Sequence, residues 1–192
     1  MILQSEKAKS LILEIFSNLS VNNQVAQLCA EGLVQTSLRG IDTHGIRLVP
    51  HYVAAIESGR LNPKPNIQFE KTSSSTGILD ADHTLGYAAG VIAIQHAIEL
   101  ANESGAGFIS VKNSSHCGAL AYPCLKACEE GMIGLGFTHA TSRMKSPGSN
   151  REFFGTNPLC FTAPMEKEDP FCFDSSPTMI PFHKILHYRE TS

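Results

Sequence analysis

The sequence is poor in the features that mark nucleic-acid-binding, membrane and secreted proteins. It has 192 residues with no tryptophan, only 17% charged residues and a net charge of −3. Its lysines and arginines form no basic patch, and no uncharged apolar run reaches the roughly 20 residues of a membrane span. The apolar N-terminal stretch is interrupted by charges such as Glu6 and Lys7, which the apolar region of a signal peptide lacks. We therefore expect a cytoplasmic protein without a nucleic-acid or membrane partner.

The motifs of three common classes of enzyme site are also missing. Without a C-x-x-C or an H-E-x-x-H, a zinc site is not favoured, although Cys124 and Cys128 lie one helical turn apart downstream of His116 and Cys117. No G-x-S-x-G marks a serine nucleophile. The nearest approach to the dinucleotide motif G-x-G-x-x-G is Gly134-Leu135-Gly136, which lacks the third glycine. This pattern argues against a Rossmann unit.

The cysteines do not form a disulfide framework. There are six, scattered through the chain: Cys29, Cys117, Cys124, Cys128, Cys160 and Cys172. Small secreted domains are the usual setting for a cysteine framework, and this chain is too long and carries too few cysteines for that class. We expect reduced thiols.

Hydrophobic residues make up 42% of the sequence, which is enough for a globular core. They recur with the spacing typical of helices in some segments and of strands in others. Helices are predicted over residues 5–19, from Asn22 or Asn23 to about Gly40, through Tyr52 and Ile56, and over 86–104, 119–130 and about 177–188. Strands are predicted over residues 76–80, 108–111, 132–138, 159–163 and 171–173, with a polar surface loop at 141–154. The first helix is predicted to bury Ala8, Leu11, Ile12, Ile15, Phe16 and Leu19, and the 86–104 helix to bury Val91, Ile94, Ala97, Ile98 and Ala101.

The spacing of the strands indicates how they pair. The segment between residues 163 and 171 is too short for the crossover that parallel neighbours require. We therefore predict an α/β fold of the α+β kind, in which N-terminal helices precede a mixed, largely antiparallel sheet flanked by helices.

Two of the eight histidines stand apart because they lie in polar turns next to glycine. His44 is followed by Gly45 and, three residues on, by Arg47, whereas His116 follows a predicted strand and precedes Cys117-Gly118. A histidine can exchange a proton with a hydroxyl near neutral pH. An arginine can bind a carboxylate through two parallel hydrogen bonds. These residues suit a site for a small hydroxy or oxo acid, and the other six histidines are assigned to the surface or the core.

Four segments, in this order and spacing, carry a specific resemblance: GIDTHGIR (40–47), NSSHCGALAYP (113–123), FFGTNPLCFTAP (153–164) and FDSSPT (173–178). Together they resemble the malate/L-lactate dehydrogenase family of the non-Rossmann type, which includes ureidoglycolate, sulfolactate and cyclic-imine-acid oxidoreductases. The resemblance implies hydride transfer between NAD or NADP and the carbon next to a carboxylate, a non-Rossmann dinucleotide-binding fold and a homodimer.

The resemblance also implies roles for individual residues. His116 matches the catalytic acid/base, and His44 matches a second histidine that orients the substrate oxygen. Arg47 matches the carboxylate anchor, although that position varies by one residue between relatives. The resemblance places Asp174, Ser175 and Ser176 along the dinucleotide, and it places Ala140 there through its backbone.

We expect an N-terminal helical region over residues 1–70, which contributes His44 and Arg47, and a mixed-sheet cofactor-binding region over 71–192. Family members continue beyond this point, so we expect a C-terminally truncated chain with an incomplete fold and exposed apolar surface. The alternative function is an inactive remnant that acts as a dimerisation or interaction module. The hydroxy acid and the choice between NAD and NADP stay open.

Overall fold

The computed structural model describes residues 3–178, so the helix predicted at about 177–188 lies almost wholly outside the described residues. The helices are α1 (Ser5–Asn18), α2 (Asn23–Leu38), α3 (Val49–Glu57), α4 (Gly86–Ser104) and α5 (Ala121–Glu129), with a 3-10 turn at Ile46–Leu48. The strands are β1 (Gln68–Lys71), β2 (Thr76–Asp80), β3 (Phe108–Lys112), β4 (Gly134–Phe137), β5 (Met144–Lys145), β6 (Glu152–Phe154), β7 (Leu159–Ala163) and β8 (Phe171–Ser175). Within residues 3–178, no helix is long and apolar enough to cross a membrane.

The helical hairpin predicted at the N-terminus is confirmed, and Asn22 caps its second helix. The Asn22 side chain accepts hydrogen bonds from the backbone N–H groups of Gln24 (3.0 Å) and Val25 (3.4 Å). These groups would otherwise lack a partner at the start of α2. The sequence had left the cap open between Asn22 and Asn23.

The buried face of α1 is narrower than predicted. Ala8, Ile12 and Phe16 are buried, whereas Leu11 is 44% exposed and Ile15 is 37% exposed. Helix α1 packs against α2, and only Ala8, Ile12 and Phe16, which are spaced four residues apart, are buried. The helical turn places the residue before each of them about 100° away from it.

The strands form separate sheets instead of one. In the first sheet, in the order β1-β2-β3, the β1–β2 pair is antiparallel and the β2–β3 pair is parallel. Helix α4 provides the crossover that the parallel pair needs. In the second sheet, β7 pairs antiparallel with both β4 and β8, which confirms the predicted pairing. The predicted surface loop at 141–154 contains the antiparallel hairpin β5–β6. Strand β1 was not predicted, and it spans residue 70, where the boundary between the two regions of the chain was expected.

The two faces of the β4-β7-β8 sheet differ in their surroundings. One face packs on α5, with Cys160 and Thr162 fully buried. Gly134 and Gly136 lie so close to α5 that a Cβ on either would overlap backbone or side-chain atoms of Cys124. Glycine at these two positions therefore allows the sheet to pack closely on α5. The other face exposes apolar side chains, namely Leu135, Phe137, Leu159, Phe171 and Phe173. The strand predicted at 132–138 was expected to be buried, and this was wrong for Leu135 and Phe137.

The main core lies between the N-terminal helices and α4, and the hydroxyl of Tyr87 joins three chain segments inside it. Tyr87 is completely buried. Its hydroxyl donates to the His44 carbonyl (2.8 Å) and accepts from the Ala119 N–H (3.0 Å). The Thr36 hydroxyl lies 2.9 Å away on α2. This one group therefore connects α2, the turn that carries His44 and the start of the α5 segment.

We predict that Asn22→Ala lowers the free energy of unfolding by about 0.5 to 2 kcal/mol, because it removes the N-cap of α2. Chemical denaturation of the two proteins measures the difference. Asn23→Ala is the matched control, since Asn23 is the first residue of α2 and is exposed. Equal losses for the two variants would contradict the assignment of the cap.

We predict a larger loss for Tyr87→Phe. Removing the hydroxyl leaves buried polar groups of Thr36, His44 and Ala119 without this partner, and a buried unsatisfied polar group costs about 1 to 3 kcal/mol. Urea denaturation gives the loss. Tyr122→Phe is the control, because Tyr122 is also buried and its ring meets the Tyr87 ring edge-on at 6.0 Å. Equal stability of the two variants would refute the role of the Tyr87 hydroxyl.

Candidate active site

The structure brings together the two histidines that the sequence singled out. His44 lies in the turn between α2 and the Ile46–Leu48 turn, and His116 lies in the segment between β3 and α5. Their ring centroids are 5.8 Å apart, and the ring planes differ by 18°, which is a stacked arrangement. Two turns that are 72 residues apart in sequence thus present their imidazoles to each other.

The segment that carries His116 is held against the start of α4. The Ser115 hydroxyl accepts a hydrogen bond from the Gly86 N–H and donates one to the Thr84 carbonyl, each at 2.9 Å. A Cβ on Gly86 would overlap the carbonyl groups of Ser115 and His116. Glycine is therefore required at Gly86 for this close approach.

Tyr52 and Gly118 fix the position of His116 itself. The hydroxyl of Tyr52, on α3, donates to the His116 carbonyl at 2.9 Å and lies 3.5 Å from the ring nitrogen Nδ1. The Gly118 N–H donates to the same Nδ1 at 3.2 Å. Gly118 has a φ of +65°, and the Tyr87 ring fills the space where its Cβ would be. Both the backbone and the ring of His116 are thus fixed by buried groups.

His51, which is predicted from the sequence to be a surface or core residue, is a third member of the cluster. Its ring meets the His116 ring at 5.8 Å, with 67° between the planes, and the Tyr52 ring at 5.6 Å. No continuous helix joins His44 to His51, because His44 lies in a turn, the 3-10 turn Ile46–Leu48 follows, and α3 begins at Val49. Only the fold brings His51 to the cluster.

The surroundings of two neighbours of His116 disfavour their charged forms. Burial lowers the pKa of His44 below the usual value for histidine. Burial also lowers the pKa of His51, and the positive charge of Arg60 lowers it further. Burial raises the pKa of the Tyr52 hydroxyl well above its usual value, so this group stays protonated. Neutral groups therefore surround His116 on these sides.

Arg47 follows His44 closely in the sequence. It lies on the Ile46–Leu48 turn, and its side chain is exposed. The backbone of this turn is held by the Ser37 hydroxyl, which accepts from the Ile46 N–H at 3.0 Å. The position leaves the guanidinium at the surface, three residues from His44.

The segments expected to line the dinucleotide follow β4 and β8, which end at the same edge of the sheet, because Phe137 and Ser175 both pair with Leu159 of β7. Asp174, on β8, accepts a hydrogen bond from the Ala121 N–H at 2.8 Å, so its carboxylate stands at the N-terminus of α5. Burial raises the pKa of Asp174, against the effect of this hydrogen bond. Ser175 is exposed, and its hydroxyl donates a hydrogen bond to the Ser176 carbonyl at 3.1 Å. Ala140 lies in the loop after β4, and its N–H is already donated to the Asn157 side chain at 3.2 Å.

The cysteines all carry free thiols. Contact with Cys124 and burial raise the pKa of Cys160, and burial raises that of Cys172 to about 11. In the part of the chain that the structure describes, no three histidine, cysteine, aspartate or glutamate side chains are grouped so that they could hold a metal ion.

Comparison with known proteins identifies relatives of this chain. The profile of the malate/L-lactate dehydrogenase family matches residues 3–192. Malate dehydrogenase of Pyrococcus abyssi is 34% identical over 180 residues, which are 94% of this chain and 49% of the relative. The NAD(+) ureidoglycolate dehydrogenase of Escherichia coli O157:H7 is 32% identical over 164 residues, which are 85% of this chain and 47% of the relative.

The fold agrees with the sequence match. The structure of malate dehydrogenase from Pyrococcus horikoshii OT3 superposes with a TM-score of 0.92 at 32% identity, covering 96% of this chain and 53% of that one. The chain thus spans about half the length of the curated relatives it matches. The expected family and the expected mixed α/β fold are both confirmed. The chain belongs to the malate/L-lactate dehydrogenase family.

Proposed function

We propose that the chain contributes the acid/base half of an NAD- or NADP-dependent oxidoreductase, which transfers a hydride between nicotinamide and a small 2-hydroxy acid. The observation that carries this proposal is the stack of His44 on His116, held at a strand end by buried tyrosines. The names of the relatives, malate dehydrogenase and NAD(+) ureidoglycolate dehydrogenase, support the substrate class. They give no support to the alternative of an inactive interaction module.

Oxidation of a hydroxy acid requires a base as well as a hydride acceptor. As the hydride leaves the carbon that bears the hydroxyl, the O–H bond breaks, and its proton must pass to a nearby group. In this proposal His116 takes the proton, and it returns the proton when the oxo acid is reduced. His44, neutral because it is buried, holds the substrate oxygen in place. Arg47 binds the carboxylate through its planar guanidinium.

The residues near the end of β8 suit a dinucleotide. The hydroxyl of Ser175 is exposed at the end of an edge strand, with Ser176 beside it. We propose that these serines and the backbone of Ala140 contact the cofactor. Asp174 holds the end of β8 on α5 through its bond to Ala121, so it would position the serines. When bound, nicotinamide supplies the hydride acceptor or donor.

The direct test follows nicotinamide absorbance with the 192-residue chain, NAD or NADP, and a panel of lactate, malate, ureidoglycolate, sulfolactate and their oxo acids. Turnover with one of them supports the proposal. A folded sample that turns over none and binds neither dinucleotide would refute it. Light scattering on the same sample tests the homodimer that the resemblance implies, and cell fractionation tests the cytoplasmic location.

We predict that His116→Ala lowers kcat for hydride transfer by about 10²- to 10⁴-fold, the usual contribution of acid/base catalysis. Dinucleotide binding, measured by fluorescence titration, should be unchanged, because the ring does not belong to the core. The control is His96→Gln, on α4, whose ring stacks on Phe69 away from the cluster. A loss below about tenfold would assign the proton transfer to another residue.

We predict that His44→Gln weakens the dependence of stability on acid pH. The folded state depresses the pKa of His44, so the unfolded chain takes up the proton first as the pH falls. The wild-type protein therefore loses stability as the pH falls through the usual histidine range, and the variant loses less. Urea denaturation at about pH 7.5 and pH 5.5 measures the difference. His139→Gln, at an exposed position, should keep the wild-type dependence, and identical curves for all three would contradict the prediction.

A further inference from the structure

Nδ1 of His116 faces two groups that require different protonation states of the ring. The Gly118 N–H is 3.2 Å from this nitrogen, and the Tyr52 hydroxyl oxygen is 3.5 Å from it. An amide N–H can only donate, whereas a hydroxyl oxygen can also accept. The state of Nδ1 decides the state of the other nitrogen, Nε2, because a neutral imidazole carries one proton.

With Gly118 as the partner, Nδ1 uses its lone pair, and the neutral ring carries its proton on Nε2. In that tautomer Nε2 can donate a hydrogen bond but has no lone pair with which to take a proton from a substrate. The ring then polarises an oxygen without acting as a base. The contact with Gly118 therefore favours the tautomer that cannot take a proton from a hydroxyl.

The Tyr52 hydroxyl offers the opposite arrangement. Its own proton is committed to the His116 carbonyl at 2.9 Å, and complete burial keeps the group protonated. Its oxygen lone pairs are therefore directed to accept, and Nδ1–H is the donor within reach. The 3.5 Å separation is long, but catalytic hydrogen bonds commonly tighten when a substrate is bound.

We propose that Tyr52 is a positioning residue that selects the base form of His116. It accepts Nδ1–H and so leaves the Nε2 lone pair for the substrate hydroxyl. This inference rests on the proposed function. In the step, the substrate O–H bond breaks and an Nε2–H bond forms, while the hydride and its two electrons pass from carbon to nicotinamide. The resulting imidazolium keeps its Nδ1–H on Tyr52, and the product is the oxo acid.

Among residues 3–178, four titratable groups face the His116 ring: His44 from the turn after α2, His51 and Tyr52 from α3, and the adjacent thiol of Cys117. Burial lowers the pKa of both histidines, and it raises that of Cys117 to about 11. All four groups are therefore uncharged near pH 8, and none of them attracts a proton to one ring nitrogen by its charge.

The first test reads the tautomer directly and needs no activity. Nitrogen-15 spectra of the histidine-labelled 192-residue chain, recorded at about pH 8.5 where histidines are neutral, distinguish Nδ1–H from Nε2–H. The variant His116→Gln assigns the signal. We expect a mixture in the wild-type chain and Nε2–H alone in Tyr52→Phe. The same tautomer ratio in both proteins would overturn the proposal.

A second sample covers the case in which Tyr52→Phe does not fold. Replacing all tyrosines with 3-fluorotyrosine keeps every hydroxyl but weakens the oxygen as an acceptor. We expect the wild-type mixture to move towards Nε2–H in this sample. A ratio that stays unchanged would also overturn the proposal.

Kinetics supply the third readout. Tyr52→Phe should lower kcat about 10- to 100-fold and leave KM within about twofold, less than the roughly 10⁴-fold effect of losing a carboxylate that orients a catalytic histidine. Tyr122→Phe, a buried tyrosine whose ring contacts Tyr87 instead of His116, should keep the wild-type kcat. An unchanged kcat in Tyr52→Phe would refute the role of Tyr52. Absence of turnover in the wild-type chain would instead count against the proposed function, and the tautomer ratio would still decide the inference.

Discussion

The hydroxyl of Tyr87 is the contact on which the rest of the site depends. It meets groups of three segments that are far apart in sequence: Thr36 on α2, His44 in the turn that follows, and Ala119 before α5. A hydroxyl has one proton and two lone pairs, and here all three are used. A buried hydroxyl with fewer partners would cost stability, so the core favours the one arrangement in which all three segments meet. That arrangement places the two histidine-bearing turns side by side.

Glycine next to a candidate catalytic residue is often taken as a sign of flexibility, but here it allows close packing. Gly86 and Gly118 allow two backbone segments and the Tyr87 ring to approach closer than any side chain permits. The positive φ of Gly118 turns the chain so that its own N–H returns to the His116 ring. Glycine therefore lets this loop pack closely around His116. In the proposed reaction, such a fixed position would lower the entropic cost of orienting the acid/base group.

The helices, the antiparallel pairing of β7 and β8, and the pair His44 and His116 could be predicted from sequence, because each rests on a local pattern. Helical periodicity, a turn too short for a crossover, and glycine beside a polar residue are all visible within a few positions. What was missed depends on contacts between distant segments. The sequence places Tyr52 only in a predicted helix, and it is the fold that places its hydroxyl on His116, 64 residues away. The exposure of Leu11 and of alternate residues of β4 likewise depends on which neighbours cover a surface.

The neutral state of the histidine cluster bears on how an acid substrate would be handled. Burial disfavours the charged forms of His44 and His51, so these rings do not offer a fixed positive charge to a carboxylate. In the proposed reaction that charge comes from Arg47, whose side chain is exposed three residues after His44. An anion bound there raises the pKa of nearby histidines, because an opposite charge favours their protonated forms. Binding of an oxo acid would thus draw a proton into the site, which is the proton that its reduction consumes. In the proposed reaction, the histidines of the cluster would therefore take up a proton when the acid substrate binds.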